Sequence, residues 1–146
     1  MTHSAIDVVY RVGERGTEFL VHDYQSVDPD TDRLSEPQVR FPSGTSGSGE
    51  FGESTEQTSI RKLKEETGLD ALDTERIGKE NGGHEKYVFL ISYSDCLGEL
   101  FTEPIETPDG DRMSVPYWVP VSELKKKISS KHFWVYRLAV EKLRDR

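Results

Sequence analysis

Between Ser54 and Gly68 the chain carries both ends of one helix, and this constrains its folding more than any other stretch. Ser54 or Thr55, just ahead of Glu56 and Gln57, reads as the start, with a capping box between Ser54 and Gln57, and Gly68 reads as the stop. The spacing predicts a helix from about Thr55 to Thr67. Along it Ile60 and Leu63 are three apart and face a core, whereas Lys62, Glu65 and Glu66 stand three and four apart on another face. Two carboxylates therefore project from one helix into one small volume. Adjacent carboxylates repel, so such a pair is solvated, paired with cations or holding a metal. Mg²⁺, a hard ion, takes oxygen ligands of this sort together with substrate phosphates. Taken alone, a Glu-Glu pair on a lysine-rich helix is most often a solvated face.

The wider pattern is more specific. Gly47, five residues, Glu53, seven residues, then Arg61-Lys62-Leu63-Lys64-Glu65-Glu66-Thr67-Gly68-Leu69 resembles the signature of the Nudix hydrolase superfamily, and a chance match at this many fixed offsets is improbable. The resemblance implies a loop, a helix and a second loop whose helix carboxylates bind Mg²⁺ or Mn²⁺, with water cleaving a metal-bound diphosphate. It places Glu65 and Glu66 at the paired metal-ligand positions. It makes Arg61 and Glu53 the residues that hold the box in shape, with Glu53 also approaching the metals, so the implied catalytic set is Glu53, Arg61, Glu65 and Glu66. Gly47 matches the leading glycine, whose freedom at positive φ suits a loop that brings its backbone close to metal or phosphate.

Two departures matter. Directly after the arginine the family usually has a glutamate that serves as a metal ligand, and here Lys62 stands in its place. The change takes the formal charge of positions 62, 65 and 66 from minus three to minus one, which weakens divalent-ion affinity. Three readings of Lys62 stay open: a salt-bridge partner of Glu66 in a catalytically dead binding domain; a substitute for one metal whose ammonium holds a phosphate; or an outward-pointing residue, with another carboxylate supplying the base. For the last, the stretch 99–109 offers Glu103 or Glu106. The second departure is Phe41-Pro42-Ser43-Gly44, which looks like the family's proline-glycine lead-in but lies about three residues too early, so either Gly44 or Gly47 takes the glycine's part. Gly44, Gly47 and Lys62 are accordingly the expected substrate contacts.

Composition narrows the function classes. A length of 146 residues suits a single domain, 1–146, with the box at 47–69. The start Met1-Thr2-His3-Ser4 lacks a basic, apolar leader, and a mean hydropathy of -0.67 argues against membrane insertion, so a soluble cytoplasmic protein is the expectation. The lone Cys96 forms no internal disulfide, and His3, His22, His84 and His132 show no metal-ligand spacing. A net charge of -8 excludes broad nucleic-acid binding, and an acidic protein that handles phosphates does so through a divalent cation.

The remaining chain reads as α+β. Ile6, Val8, Tyr10 and Val12 alternate as a strand; Gly13 to Gly16 is a turn, and Glu18 to Tyr24 its partner. Residues 25–40 read as a long loop. The stretches 73–79 and 86–93 flank Asn81-Gly82-Gly83, a hairpin signal. Tyr117 to Val121 is a short strand, Ser122 caps the turn of helix after it, and Phe133, Tyr136, Val140 and Leu143 mark a helix from about Lys131 to Leu143. These elements fit a mixed β-sheet between helices, and the resemblance makes it the Nudix α/β/α sandwich. Most of the aromatics Phe41, Phe51, Tyr117, Trp118, Phe133 and Trp134 are expected in the core rather than against a base. The function expected is a Mg²⁺- or Mn²⁺-dependent pyrophosphohydrolase acting on a nucleoside diphosphate linked to another group, with a weakened metal site. The alternative is an inactive Nudix-fold module that binds a nucleotide or protein. A homodimer is implied by resemblance alone.

Overall fold

The computed structural model describes residues 2–46, 52–80 and 82–146; the expected roles of Gly47, Phe51 and Asn81 lie outside the described residues. The strands begin with β1 (His3–Gly13), β2 (Gly16–Gln25), β3 (Gln38–Arg40) and β4 (Ser43–Thr45), followed by helix α1 (Thr55–Thr67). Then come β5 (Asp70–Ala71), β6 (Glu75–Glu80), β7 (Glu85–Ser92), β8 (Cys96–Leu97), β9 (Ile105–Glu106), β10 (Arg112–Met113) and β11 (Tyr117–Pro120). The chain ends with a short α2 (Val121–Leu124) and α3 (Phe133–Arg144).

The sheet is mixed. Its path runs β6-β7-β1-β2-β10-β9, with β4 on β1 and both β3 and β11 on β2. β1 and β7 run parallel, from His3 beside Glu85 to Tyr10 beside Ser92, and the other pairs are antiparallel. Both faces of the central strands are covered, which is why they read as nearly continuous apolar runs. Ile6 and Val8 of β1, Phe19 and Val21 of β2, and Val88 and Leu90 of β7 pack with Val135, Tyr136 and Ala139 of α3. Val9, Leu20 and Ile91 point the other way, onto Leu63 of α1 and Leu69. This is the expected sandwich, with α1 on one face and α3 on the other.

Helix α1 has the limits its sequence predicts. Ser54 Oγ accepts from the Gln57 amide at 3.1 Å and the Gln57 side chain accepts from the Ser54 amide at 2.8 Å, a capping box typically worth about 0.5–2 kcal/mol. Gly68 ends it at φ 89°, donating its N–H to Lys64 O. A Cβ there would come within 2.4 Å of Glu99 O, so glycine is required twice over.

Three local expectations are corrected. The stretch 25–40 is not all loop: β3 sets Arg40 opposite His22, and three residues are too few for an alternating pattern to reveal a strand decided by its neighbour. Ser122 lies within α2, whose N-cap is Pro120, because the fixed φ and missing N–H of proline are tolerated at a helix entrance. The last helix is preceded by a 3-10 turn, Ser130–His132, capped by Ser129. Among the described residues no helix is long and apolar enough to cross a membrane.

His132 joins that turn to the strand leading into the site. Its Nδ1 accepts the Phe41 N–H at 3.0 Å, and its ring stacks on Phe41 at 5.9 Å and 14°. Burial, reinforced by Arg40, pushes the imidazole down to about 3. The folded state therefore stays neutral while the unfolded chain, near the ordinary 6.5, takes up a proton; stability is complete above about pH 6.5 and is lost as pH falls toward 3. His132→Asn keeps an acceptor for Phe41 without the titration. Between about pH 7 and pH 5 it should lose about 2 kcal/mol less than the wild type in urea unfolding, and equal losses would exclude His132 as the source.

Candidate functional site

Where the N-terminal half of the sheet meets α1, a cavity of about 690 Å³ opens. One wall is β4 with the outer face of α1: Ser43, Gly44, Thr45, Lys62, Glu65 and Glu66. The opposite wall is the segment from Ile105 to Asp111 with Met113, and Tyr24 and Arg40 lie between. Of the residues singled out in the sequence, the cavity brings together Gly44, Lys62, Glu65, Glu66 and Glu106. Glu103 does not line it.

Arg61 organises the α1 wall. Its Nε and Nη2 donate to the two oxygens of Glu53 at 2.8 and 2.9 Å, and Nη1 donates to Glu65 Oε1 at 3.0 Å. These bonds, Glu53 foremost, push the guanidinium pKa up. Such a fork is fixed in direction as well as strength. The structural pairing that the motif implies for Glu53 and Arg61 is therefore present.

Lys62 does not pair with Glu66, as one of its three readings had it. Its Nζ lies 3.2 Å from Glu65 Oε2, the i,i+3 neighbour. Its stem crosses Gly44, where a Cβ would lie 2.4 Å from Cδ and 2.5 Å from Cε. Gly44 thus serves close approach rather than positive φ. Burial raises the Glu65 carboxyl, but the hydrogen bonds and charges of Arg61 and Lys62 outweigh it and hold the group below its ordinary value.

Glu66 has the contrary environment. It is only 6% exposed, and Oε1 accepts the Ser43 N–H at 3.0 Å. Burial pushes its carboxyl up to about 8, against the pull of the Ser43 amide and Lys62. His22 Nε2 lies 3.9 Å away, yet burial pushes that imidazole down to about 4, so at neutral pH the contact is not an ion pair. Behind them Asp7 of β1 accepts the Ser59 hydroxyl of α1, and its burial raises the carboxyl well above the usual range. Asp7 Oδ2 and His22 Nδ1 are buried without a hydrogen-bond partner among the described residues.

Across the cavity Glu106 lies 3.7 Å from Arg112, and Asp111 accepts the Tyr24 hydroxyl and, at 2.9 Å, the Val27 N–H. Arg40 stacks on Tyr24 at 4.4 Å and is held by Gln38 Oε1 at 2.7 and 3.1 Å. Sequence reading missed Tyr24, Arg40 and Asp111. The alternation along β2 was the available signal for Tyr24, since it shares a face with Leu20 and His22. Of the aromatics weighed against a base, Phe41 is buried in the core; Tyr117, Phe133 and Trp134 pack against the α3-side core and Trp118 against the α1-side core. Cys96 is half-buried with its thiol pushed up to about 11 by burial, which suits no nucleophile.

The donors fit a hard divalent cation in kind. Glu65 and Glu66 on one wall and Glu106 and Asp109 on the other offer only oxygen, and a cation facing Glu66 would restore the charged form that burial disfavours. Among the described residues no three His, Cys, Asp or Glu side chains converge into a ready cage. Mg²⁺ needs none, since it keeps several waters and takes one or two carboxylates with substrate phosphates.

Comparison with known proteins agrees with this geometry. A structure described as MutT, from work on Aliivibrio salmonicida and Vibrio cholerae, is 17% identical over 96% of this chain and 98% of its own, with a TM-score of 0.65. An ADP compounds hydrolase is 15% identical over 99% of this chain and 74% of its own, at 0.67. The NUDIX domain of Shewanella oneidensis NrtR, complexed with ADP ribose, is 19% identical over 96% of this chain and 86% of its own, at 0.63. At such identities the likeness establishes the fold alone, and no curated protein matches the chain in sequence. The NUDIX domain family model, however, matches residues 1–138, and with the capped helix and the Arg61 fork in place this chain belongs to the NUDIX domain family.

Proposed function

We propose that this Nudix domain is a divalent-metal-dependent hydrolase that cleaves the diphosphate linkage of a nucleoside diphosphate derivative. The observation that carries the reading is the pair Glu65 and Glu66 on α1, facing Glu106 and Asp109 across one cavity. That arrangement suits a phosphate-bearing ligand in an acidic protein only with a cation between carboxylate and phosphate. The ADP compounds hydrolase and the NrtR domain complexed with ADP ribose support a nucleotide derivative as the ligand.

Each residue has a separable task. Glu65 and Glu66 would hold Mg²⁺ or Mn²⁺, which when bound supplies an acidified water and polarises the diphosphate. Arg61, braced by Glu53, keeps Glu65 in place. Lys62, 24% exposed at its side chain, brings an ammonium to the cavity wall where the family usually has a carboxylate, and offers it to a substrate phosphate. Ser43, Gly44 and Thr45 supply a backbone edge close to that group. Glu106 is the cavity-lining candidate for the acid that completes the site.

A second reading rests on Glu65. Both its oxygens face cations, Arg61 at 3.0 Å and Lys62 at 3.2 Å, so a metal must compete with Lys62 for it. In the limit where Lys62 wins, the domain binds its ligand without turning it over.

Hydrolysis of nucleoside triphosphates, ADP-ribose, dinucleoside polyphosphates and nucleotide sugars, each with Mg²⁺ and with Mn²⁺, separates the two. Turnover that requires metal and falls at least about a hundredfold in Glu66→Gln supports the hydrolase. No turnover on any member, together with nucleotide-dependent thermal stabilisation, supports the binding module. Lys62→Glu should tighten Mn²⁺ binding by at least about tenfold, because it replaces a cation by a ligand beside Glu65. Unchanged affinity in calorimetric titration would remove Lys62 as the cause of a weakened site.

A further inference from the structure

Thr58 is completely buried on the face of α1 that meets β1, where an aliphatic side chain would pack as well and would need no partner. Its hydroxyl has two close neighbours. Oγ1 lies 2.6 Å from Glu53 Oε1 and 2.7 Å from His3 Nε2, with the Ser54 carbonyl farther off at 3.1 Å. A hydroxyl has one proton. An ionised carboxylate only accepts, so the hydroxyl proton goes to Glu53 by the shorter, charge-assisted bond, which leaves Thr58 Oγ1 to accept from the N–H of the His3 Nε2 tautomer. The ordinary alternative for a helical threonine, a back-bond to the carbonyl four residues earlier, is the longer contact here.

The chain of contacts continues toward the cavity. Glu53 takes Thr58 and Arg61 on Oε1 and Arg61 again on Oε2, and Arg61 reaches on to Glu65. At the other end, His3 belongs to β1 and packs edge-on against Tyr87 of β7, at 6.1 Å and 86°. His3, Thr58, Glu53, Arg61 and Glu65 thus run in sequence from two sheet strands to a cavity carboxylate.

Resting on the Nudix hydrolase reading of the site, we propose that Thr58, held by His3, is a positioning residue: its hydroxyl sets the rotation of the Glu53 carboxylate and, through Arg61, the placement of Glu65 in the cavity. Arg61 holds Glu53 in a plane, but from a long side chain on the helix whose Nη2 also reaches Thr45 O of β4 at 3.4 Å. The hydroxyl is short, buried and tied to the sheet, so it gives the Glu53–Arg61 pair a fixed reference. Outer-shell partners of this kind typically change metal affinity by about 10–100-fold when removed.

The test compares Mn²⁺ dissociation constants, read from the free-ion signal in electron paramagnetic resonance, for wild type, Thr58→Val, Thr58→Ser and His3→Leu. Tyr136→Phe serves as a control that loses a buried hydroxyl bond, to Val121 O, on the α3 side of the sheet. Thr58→Val should weaken Mn²⁺ binding by about tenfold, Thr58→Ser should restore it to within about threefold, and His3→Leu should shift it the same way by a smaller factor. Tyr136→Phe should lower the melting temperature and leave Mn²⁺ affinity unchanged. Wild-type affinity in Thr58→Val overturns the proposal. If Thr58→Val does not fold, His3→Leu, at the first residue of β1, decides it by the same criterion. A wild type that binds no Mn²⁺ overturns the metal-dependent reading itself and the positioning role with it, whereas tight wild-type binding that both variants retain overturns the positioning role alone.

Discussion

Arg61 is the joint on which the site's geometry depends. One guanidinium ties the loop ahead of α1, through Glu53, to a cavity carboxylate one helical turn further on, Glu65. A lysine could satisfy either carboxylate but not both in fixed directions, because its donors rotate about a single nitrogen. The pair with Glu53 is well shielded, with side-chain exposures of 25% and 11%, so it is less weakened by solvent than a surface ion pair. Its value to the molecule is directional: the loop, the helix and Glu65 cannot shift independently while the fork is intact.

Lys62 changes what that rigid frame presents. With Arg61 on one oxygen and Lys62 on the other, Glu65 is electrostatically answered before any ligand arrives. Glu66 is answered less: it is buried, accepts the Ser43 N–H, feels the Lys62 charge without an ion pair and sits beside an imidazole too desolvated to carry charge. The carboxyls of the two neighbouring glutamates, identical in sequence terms, are thus pushed in opposite directions: burial is outweighed at Glu65 by Arg61 and Lys62, and prevails at Glu66. The narrow contact between the Lys62 stem and Gly44 shows that the lysine lies along the cavity wall, since any side chain at position 44 would displace it.

Part of this geometry is legible in the amino-acid sequence. The capped helix and its Gly68 stop follow from capping and helical periodicity, which act within a few residues, whereas the sandwich and the grouping of Gly44, Lys62, Glu65 and Glu66 are implied by the motif's resemblance to a family. What was not legible depends on strand pairing. β3 exists because β2 offers it a ladder, and only that ladder brings Arg40 beside His22 and Tyr24. The choice of Lys62 for Glu65 over Glu66 likewise depends on which way Glu66 turns, and the Ser43 amide that holds Glu66 is contributed by β4, far away along the chain.

The two faces of the sheet divide the work of holding the fold and holding the site. Toward α3, β1 and β2 present Ile6, Val8, Phe19 and Val21, an apolar surface that packs by shape alone. Toward α1 the same strands present Asp7 and His22 among Val9 and Leu20, and α1 answers with Ser59 and Glu66 while Thr58 turns to His3. Buried polar groups cost stability unless paired, and Asp7 Oδ2 and His22 Nδ1 on this face have no hydrogen-bond partner among the described residues. An apolar α1 interface would permit small sliding and rotation of the helix, since dispersion contacts have no direction. Hydroxyl, imidazole and carboxylate contacts do have direction, and they tie α1 to β1 through Thr58 and Ser59, just ahead of Arg61. The directional contacts beneath α1 thus lie beside the cavity, where a single helix position matters, while the α3 face packs through apolar side chains.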